Sequence, residues 1–292
     1  MIGSFLNVCI ARIPEEISIV TPGSRCPKCG TPIKAYDNVP VLGWVWLGGK
    51  CRACKAPISA MYPLIELTTG LLYGATYLQY GITQATVKWL FFTSFIIVLT
   101  ITDLRVRLLP DLVTIPGTAA GLLFSAFVPP RDGFGGYLAW RLFHVPVNAH
   151  VGGVLDGLVG AAFGGGFLWG LATLYKAVRG RDGMGFGDVK MMAMAGAFLG
   201  LRGTFLMILL GSLVGSVIGV SVVGALYLAG WRSAVAGRAS RRGLGKEASL
   251  RWALASQYQL PLGTFLGIGA IAIVYLEPLA HVRWPNLGGV LG

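Results

Sequence analysis

Two sets of residues in this chain have the types and spacing to do chemistry: four cysteines and a pair of aspartates. Cys26-Pro-Lys-Cys29 and Cys51-Arg-Ala-Cys54 are two C-x2-C turns. Such a pair presents four thiolates to one tetrahedral ion at about 2.3 Å. Zinc held by four thiolates has no open position, so Cys26, Cys29, Cys51 and Cys54 are expected to hold a structural ion whose removal unfolds the loop. Two disulfides are the alternative and suit an oxidising compartment. The charge distribution places this loop in the reducing cytosol, which favours the metal. Cys9, inside the first helix, reads as a packed thiol.

The first aspartate is Asp188, delivered by the glycine-rich turn Gly183-Met-Gly-Phe-Gly-Asp-Val-Lys190 to the edge of the apolar run that begins at Met191. An acid costs about 2.5–3.5 kcal/mol to insert at mid-bilayer and less near an interface, so its presence favours a functional reading. The second is Asp103, which closes the apolar run 91–102 at the same expected depth. Taken alone, Asp103 reads equally well as an interfacial acid paired with Arg105 or Arg107. Two close carboxylates cannot both ionise easily, so one keeps a proton while the other is a base. That division of labour activates a water and protonates the amide oxygen in peptide hydrolysis, and the glycines before Asp188 would leave room for an extended substrate backbone.

The other acids have quieter readings. Asp111, after Pro110, is expected to cap the next helix. Asp156 lies one turn into a span from the external side, where a structural hydrogen bond is expected, and Glu66 enters its span from the cytosolic side, where an interfacial polar anchor is the simple reading. Glu15, Glu16, Asp37, Asp132, Asp182 and Glu247 fall in polar loops, and Glu277 ends the last span. His144, His150 and His281 are all expected on the external side, away from the aspartates. The chain has no H-E-x-x-H and no G-x-S-x-G, which removes the usual metalloprotease and serine-hydrolase readings.

The elements that must position these groups are membrane helices. Of 292 residues 54% are hydrophobic and only 12% charged, and several runs approach the roughly 20 residues that cross hydrocarbon. The reading is an all-α polytopic membrane protein of about seven to eight transmembrane helices with a small cytosolic zinc-ribbon-like loop. Residues 1–11 form a partial first transmembrane helix, with no basic leading region or cleavage site of a signal peptide. Residues 12–61 are the cytosolic four-cysteine loop, and 62–292 the transmembrane domain that holds the aspartates. Spans read as 62–80, 86–102, 112–128, 151–175, 189–201, 204–229 and 260–277.

A net charge of +12 would suggest nucleic acid in a soluble protein, but here it sits in loops and encodes orientation, so no nucleic-acid partner is expected. With 12–61 cytosolic, alternation puts all but Lys88, Arg131, Arg141, Arg202 and Arg283 of the 24 Lys and Arg on the same side. The basic, partly apolar stretch 230–258 is expected on the anionic inner leaflet. The aromatic segment 129–150, with Phe134, Tyr137, Trp140 and Phe143, reads as an external interfacial cap.

At these residues the sequence resembles the bacterial type IV prepilin peptidases, membrane aspartyl proteases of the G-x-G-D class. The matching stretches are Gly3-Ser-Phe-Leu-Asn-Val8 with Arg12-Ile-Pro14, the two cysteine turns, Asn38-Val-Pro-Val-Leu42 and Gly49-Lys-Cys51. They continue with Tyr62-Pro-Leu-Ile-Glu66, Asp103, Leu109-Pro-Asp111 and the 183–190 turn, in the family's order over most of residues 1–200. The resemblance implies catalytic aspartates at Asp103 and Asp188, zinc ligands at Cys26, Cys29, Cys51 and Cys54, and a place in the bacterial inner membrane with the active site at the cytosolic face. It further implies cleavage of the basic leader of prepilins or pseudopilins after a glycine. In bifunctional members, S-adenosylmethionine then methylates the new amino terminus; which residues bind it is open. Proteolysis without methylation, or a transporter or assembly scaffold whose buried acids carry protons, are the alternatives.

Overall fold

A computed structural model describes residues 1–130, 132–144, 147–181, 183–228 and 261–283. Among the described residues the chain is helical, with two isolated bridges in the cysteine loop and no named strand. The elements are α1 (Ile2–Arg12), α2 (Leu42–Trp46), α3 (Met61–Tyr80), α4 (Gln84–Val106) and α5 (Asp111–Phe127), then α6 (Phe134–Phe143), α7 (Ala149–Arg179), α8 (Phe186–Leu228) and α9 (Leu262–Arg283). Long apolar runs become helices because lipid offers no partner for free backbone groups. Gln84–Val106, Ala149–Arg179 and Phe186–Val222 are long and apolar enough to cross a membrane.

Local chemistry sets the ends. Thr83 accepts from Thr86 N at the start of α4, and Asn148 accepts from Val151 N at the start of α7. Helix α7 stops at Gly180, in the left-handed region at φ 67°.

Two runs, 189–201 and 204–229, are expected from the sequence where the structure has α8. The helix is broken at one residue, Gly200, with φ 75° and ψ −173°. Met192 and Thr204, on opposite sides of that break, both lie against Gly164 of α7, so the second arm returns alongside the first. Asp132 accepts from Arg202 N at 2.8 Å and so caps the returning arm. The polar-loop reading of Asp132 missed this contact.

The core lies where α4, α5, α7, α8 and α9 meet. Phe92, Ile96, Leu99, Met191, Met194, Phe198 and Leu266 are buried there, with the Phe92 and Phe198 rings 5.0 Å apart. Helices α7 and α8 approach at Gly160 and Gly196, where a Cβ on either would run into the other's backbone. Small residues permit such contact, and in lipid that packing replaces the hydrophobic drive.

Segment 129–150 contains α6, and Gly135 N of α6 donates to Asp156 Oδ1 on α7, the structural kind of role expected of Asp156. Lys88 is 0% exposed inside α4; its Nζ donates to Val128 O at 2.8 Å and lies 5.1 Å from the centre of the Trp89 ring. The basic stretch 230–258, with Asp182 and Glu247, lies outside the described residues.

Candidate functional site

Asp103 stands in the last turn of α4 and Asp188 in the first turn of α8, 6% and 8% exposed. The structure brings them together across a third element, the start of α9. A Cβ built on Gly263 would lie 3.1 Å from Asp103 Oδ2 and 3.1 Å from Asp188 Oδ1. The two oxygens are therefore no further apart than twice that distance. Thr264 donates to Asp103 Oδ2 from its backbone N at 2.7 Å and from its hydroxyl at 3.0 Å. Neither Gly263 nor Thr264 stands out in the sequence, because nothing local marks them.

The glycines before Asp188 divide by what surrounds them. A Cβ at Gly183 would strike the Tyr175 ring, and one at Gly187 would come 2.9 Å from Leu109 Cβ. Only Gly185 faces open space, with Asp188 Oδ2 3.9 Å from where its Cβ would be. Two of the three are thus needed for packing, and Gly185 alone leaves room beside the acid.

Asp111 does not cap its helix. It is the first residue of α5, Pro110 occupies the capping position with no side-chain bond, and Lys190 Nζ instead donates to both Asp111 oxygens at 2.7 Å. Asp111 lies one residue past the cap position, and its carboxylate is held by the lysine two residues after Asp188.

The four cysteine sulfurs lie within 4.8 Å of one another. Cys26 Sγ is 3.8 Å from Cys54 Sγ and Cys29 Sγ is 3.9 Å from Cys51 Sγ. A tetrahedron with metal–sulfur bonds of about 2.3 Å has edges of about 3.8 Å, so the donor set fits a metal. A disulfide needs about 2.05 Å, and all the cysteines are free. Both turns share one geometry. Cys26 N donates to Thr31 O at 2.9 Å and Cys51 N to Ala56 O at 2.8 Å, while Gly30 and Lys55 take positive φ at matching places. Cys29 Sγ lies 3.2 Å from Thr31 Oγ1, and hydrogen bonding with Thr31, side chain first and backbone second, lowers the Cys29 thiol to about 6, while its neighbour Cys54 is raised to about 11.

Arg52 clasps Asp37 through two bonds of 2.5 and 2.8 Å, joining the halves of this loop and holding the Asp37 carboxyl below its usual range. The loop is in turn tied to the helices. Glu66 on α3 accepts from Val41 N at 2.7 Å, Ser4 Oγ donates to Asn38 Oδ1 at 3.3 Å, and Asn7 Nδ2 donates to Tyr62 O at 3.1 Å. The stretches around Gly3, Asn38 and Tyr62, far apart in sequence, meet here: a Cβ at Gly3 would come 2.8 Å from Glu66 Cα.

An all-helical, membrane-type chain with two facing acids near helix ends and a four-thiol loop defines the class. Residues 1–80 match the Bacterial Peptidase A24 N-terminal domain and residues 90–220 match the Type IV leader peptidase family. The prepilin leader peptidase/N-methyltransferase of Aeromonas salmonicida is 37% identical over 76% of this chain and 78% of its own length. That of Neisseria gonorrhoeae is 36% identical over 74% and 77%, and that of Myxococcus xanthus 39% identical over 80% and 63%. The chain belongs to the type IV leader peptidase family. No solved structure matches it.

Proposed function

We propose that this protein cleaves the leader of prepilins or pseudopilins with Asp103 and Asp188 as the catalytic pair, and then methylates the new amino terminus. The observation that carries the reading is the convergence of the two carboxylates beside Gly263. Family membership and the names of the relatives, each a prepilin leader peptidase/N-methyltransferase, support both activities.

In this mechanism the ionised aspartate takes a proton from water, and the water oxygen bonds to the carbonyl carbon of the scissile amide. The protonated aspartate gives its proton to the carbonyl oxygen. Collapse of the resulting diol breaks the C–N bond, and the leaving nitrogen takes up a proton. For methylation, the freed amine must first be neutral; S-adenosylmethionine, a co-substrate, would give it a methyl group as the sulfur–methyl bond breaks, leaving S-adenosylhomocysteine and a protonated N-methyl amine.

The finer architecture belongs to the same proposal. About seven to eight helices cross the bacterial inner membrane, with 1–11 in the first helix, 12–61 a cytosolic loop and 62–292 the protease domain. The dyad then faces the cytosol, where a basic leader is drawn to the anionic leaflet while its apolar helix stays in lipid. Cys26, Cys29, Cys51 and Cys54 would hold zinc, which supplies the loop's fold and no chemistry of its own. No nucleic-acid partner enters this reading.

The test is cleavage of a prepilin in detergent. Asp103→Asn and Asp188→Asn are each expected to lower the rate by at least about a hundredfold. Processing near the wild-type rate by either would remove the dyad. One added methyl group on the mature pilin, seen by mass, checks the second activity.

A further inference from the structure

The start of α9 does more than lie near the acids. Thr264 reaches one oxygen of Asp103 from its N at 2.7 Å and from its hydroxyl at 3.0 Å, while a Cβ at Gly263 would lie 3.1 Å from Asp188 Oδ1. A backbone N–H can only donate, so Asp103 Oδ2 must accept. The hydroxyl also lies 3.2 Å from Thr100 O, which fixes its place between α4 and α9. The helices packed on α4 leave Asp188 as the other acid at this point. Lys190 and Asp111 are bound to each other, Glu66 is turned to Val41 N, Arg12 donates to Ser18 O, and residues 262–276 of α9 carry no charge.

We infer that Gly263 and Thr264 complete the catalytic centre: Thr264 is a positioning residue that holds the Asp103 carboxyl group in place beside Asp188. Gly263 is the position where no side chain is tolerated. The inference rests on the dyad reading above. Asp103 is thereby placed by a residue 161 positions further along the chain. Any methyl group at Gly263 would sit 3.1 Å from both carboxylates, where substrate and water must enter.

The experiment uses the full-length protein in detergent with a prepilin, and follows methylation of an already cleaved pilin as a second activity. Thr264→Val is expected to lower kcat about tenfold, the loss of one hydrogen bond to a charged group, with KM within about twofold. Thr264→Ser, which keeps the hydroxyl, should return kcat to within about threefold of wild type. A Thr264→Val enzyme with wild-type kcat, while Asp103→Asn and Asp188→Asn are inactive, overturns the inference and spares the dyad. Activity in either asparagine variant overturns the dyad itself. If Thr264→Val loses methylation as well, Gly263→Ala decides. Loss of cleavage with methylation intact supports the inference, and wild-type cleavage overturns it.

Discussion

Lys190 donates from Nζ to both carboxylate oxygens of Asp111 at 2.7 Å, tying the start of α5 to α8 two residues beyond Asp188. Both side chains are partly exposed, at 31% and 56%, so the pair is screened by water and salt. Lys190→Met is expected to cost less than about 1 kcal/mol of stability and to slow cleavage by less than about tenfold. High salt should mimic part of that effect in the wild type and none in the variant. A rate loss as deep as that of Asp188→Asn would place Lys190 in the catalytic machinery instead.

The cysteine loop should bind one zinc per chain. Replacing any one of Cys26, Cys29, Cys51 or Cys54 with serine should lower the zinc content and open the loop to proteases between residues 12 and 61, because so small a ribbon has little core of its own. In wild-type protein stripped of its metal, cadmium, another tetrahedral thiolate binder, should restore protection, since the ion has no open position to fill. A loop equally resistant with and without metal would show that the thiols do not hold it.

The Asp37–Arg52 clasp carries a pH dependence of definite sign. Arg52 lowers the Asp37 carboxyl, so the clasp's contribution is complete above the unfolded carboxylate range and is lost as pH falls through the lower folded value. Wild-type protein should therefore keep its zinc to a lower pH than Asp37→Asn. Identical release midpoints for the two proteins would dismiss the clasp as a support.

Gly200 and Asp132 act together at the break in α8. Asp132→Ala removes the acceptor for Arg202 N and is expected to cost about 1 kcal/mol. Gly200→Ala should cost more, because its φ of 75° strains any side chain and the new Cβ would lie 2.5 Å from Asp132 Oδ2. Thermal unfolding in detergent gives the order, and a milder Gly200→Ala would count against this account of the turn.

Where a property depends on neighbours along the chain, the residues alone carried it. The apolar runs anticipated α3, α4, α5 and both arms of α8, because hydrophobicity is local and lipid forces it into helices. The C-x2-C spacing marked the four thiols, and the glycine-rich turn marked Asp188, for the same reason. Tertiary structure alone decided what each polar group would touch. Asp111, expected to cap its own helix, took Lys190, and Asp132 became the cap of an arm on another helix. Lys88, counted among the outer charges, is sealed inside α4 against Val128 O. Thr264 meets Asp103 across 161 positions of sequence. Partners of this kind are set by how helices pack, and a side chain's identity fixes only the bonds it can make, leaving the fold to choose which groups come within reach.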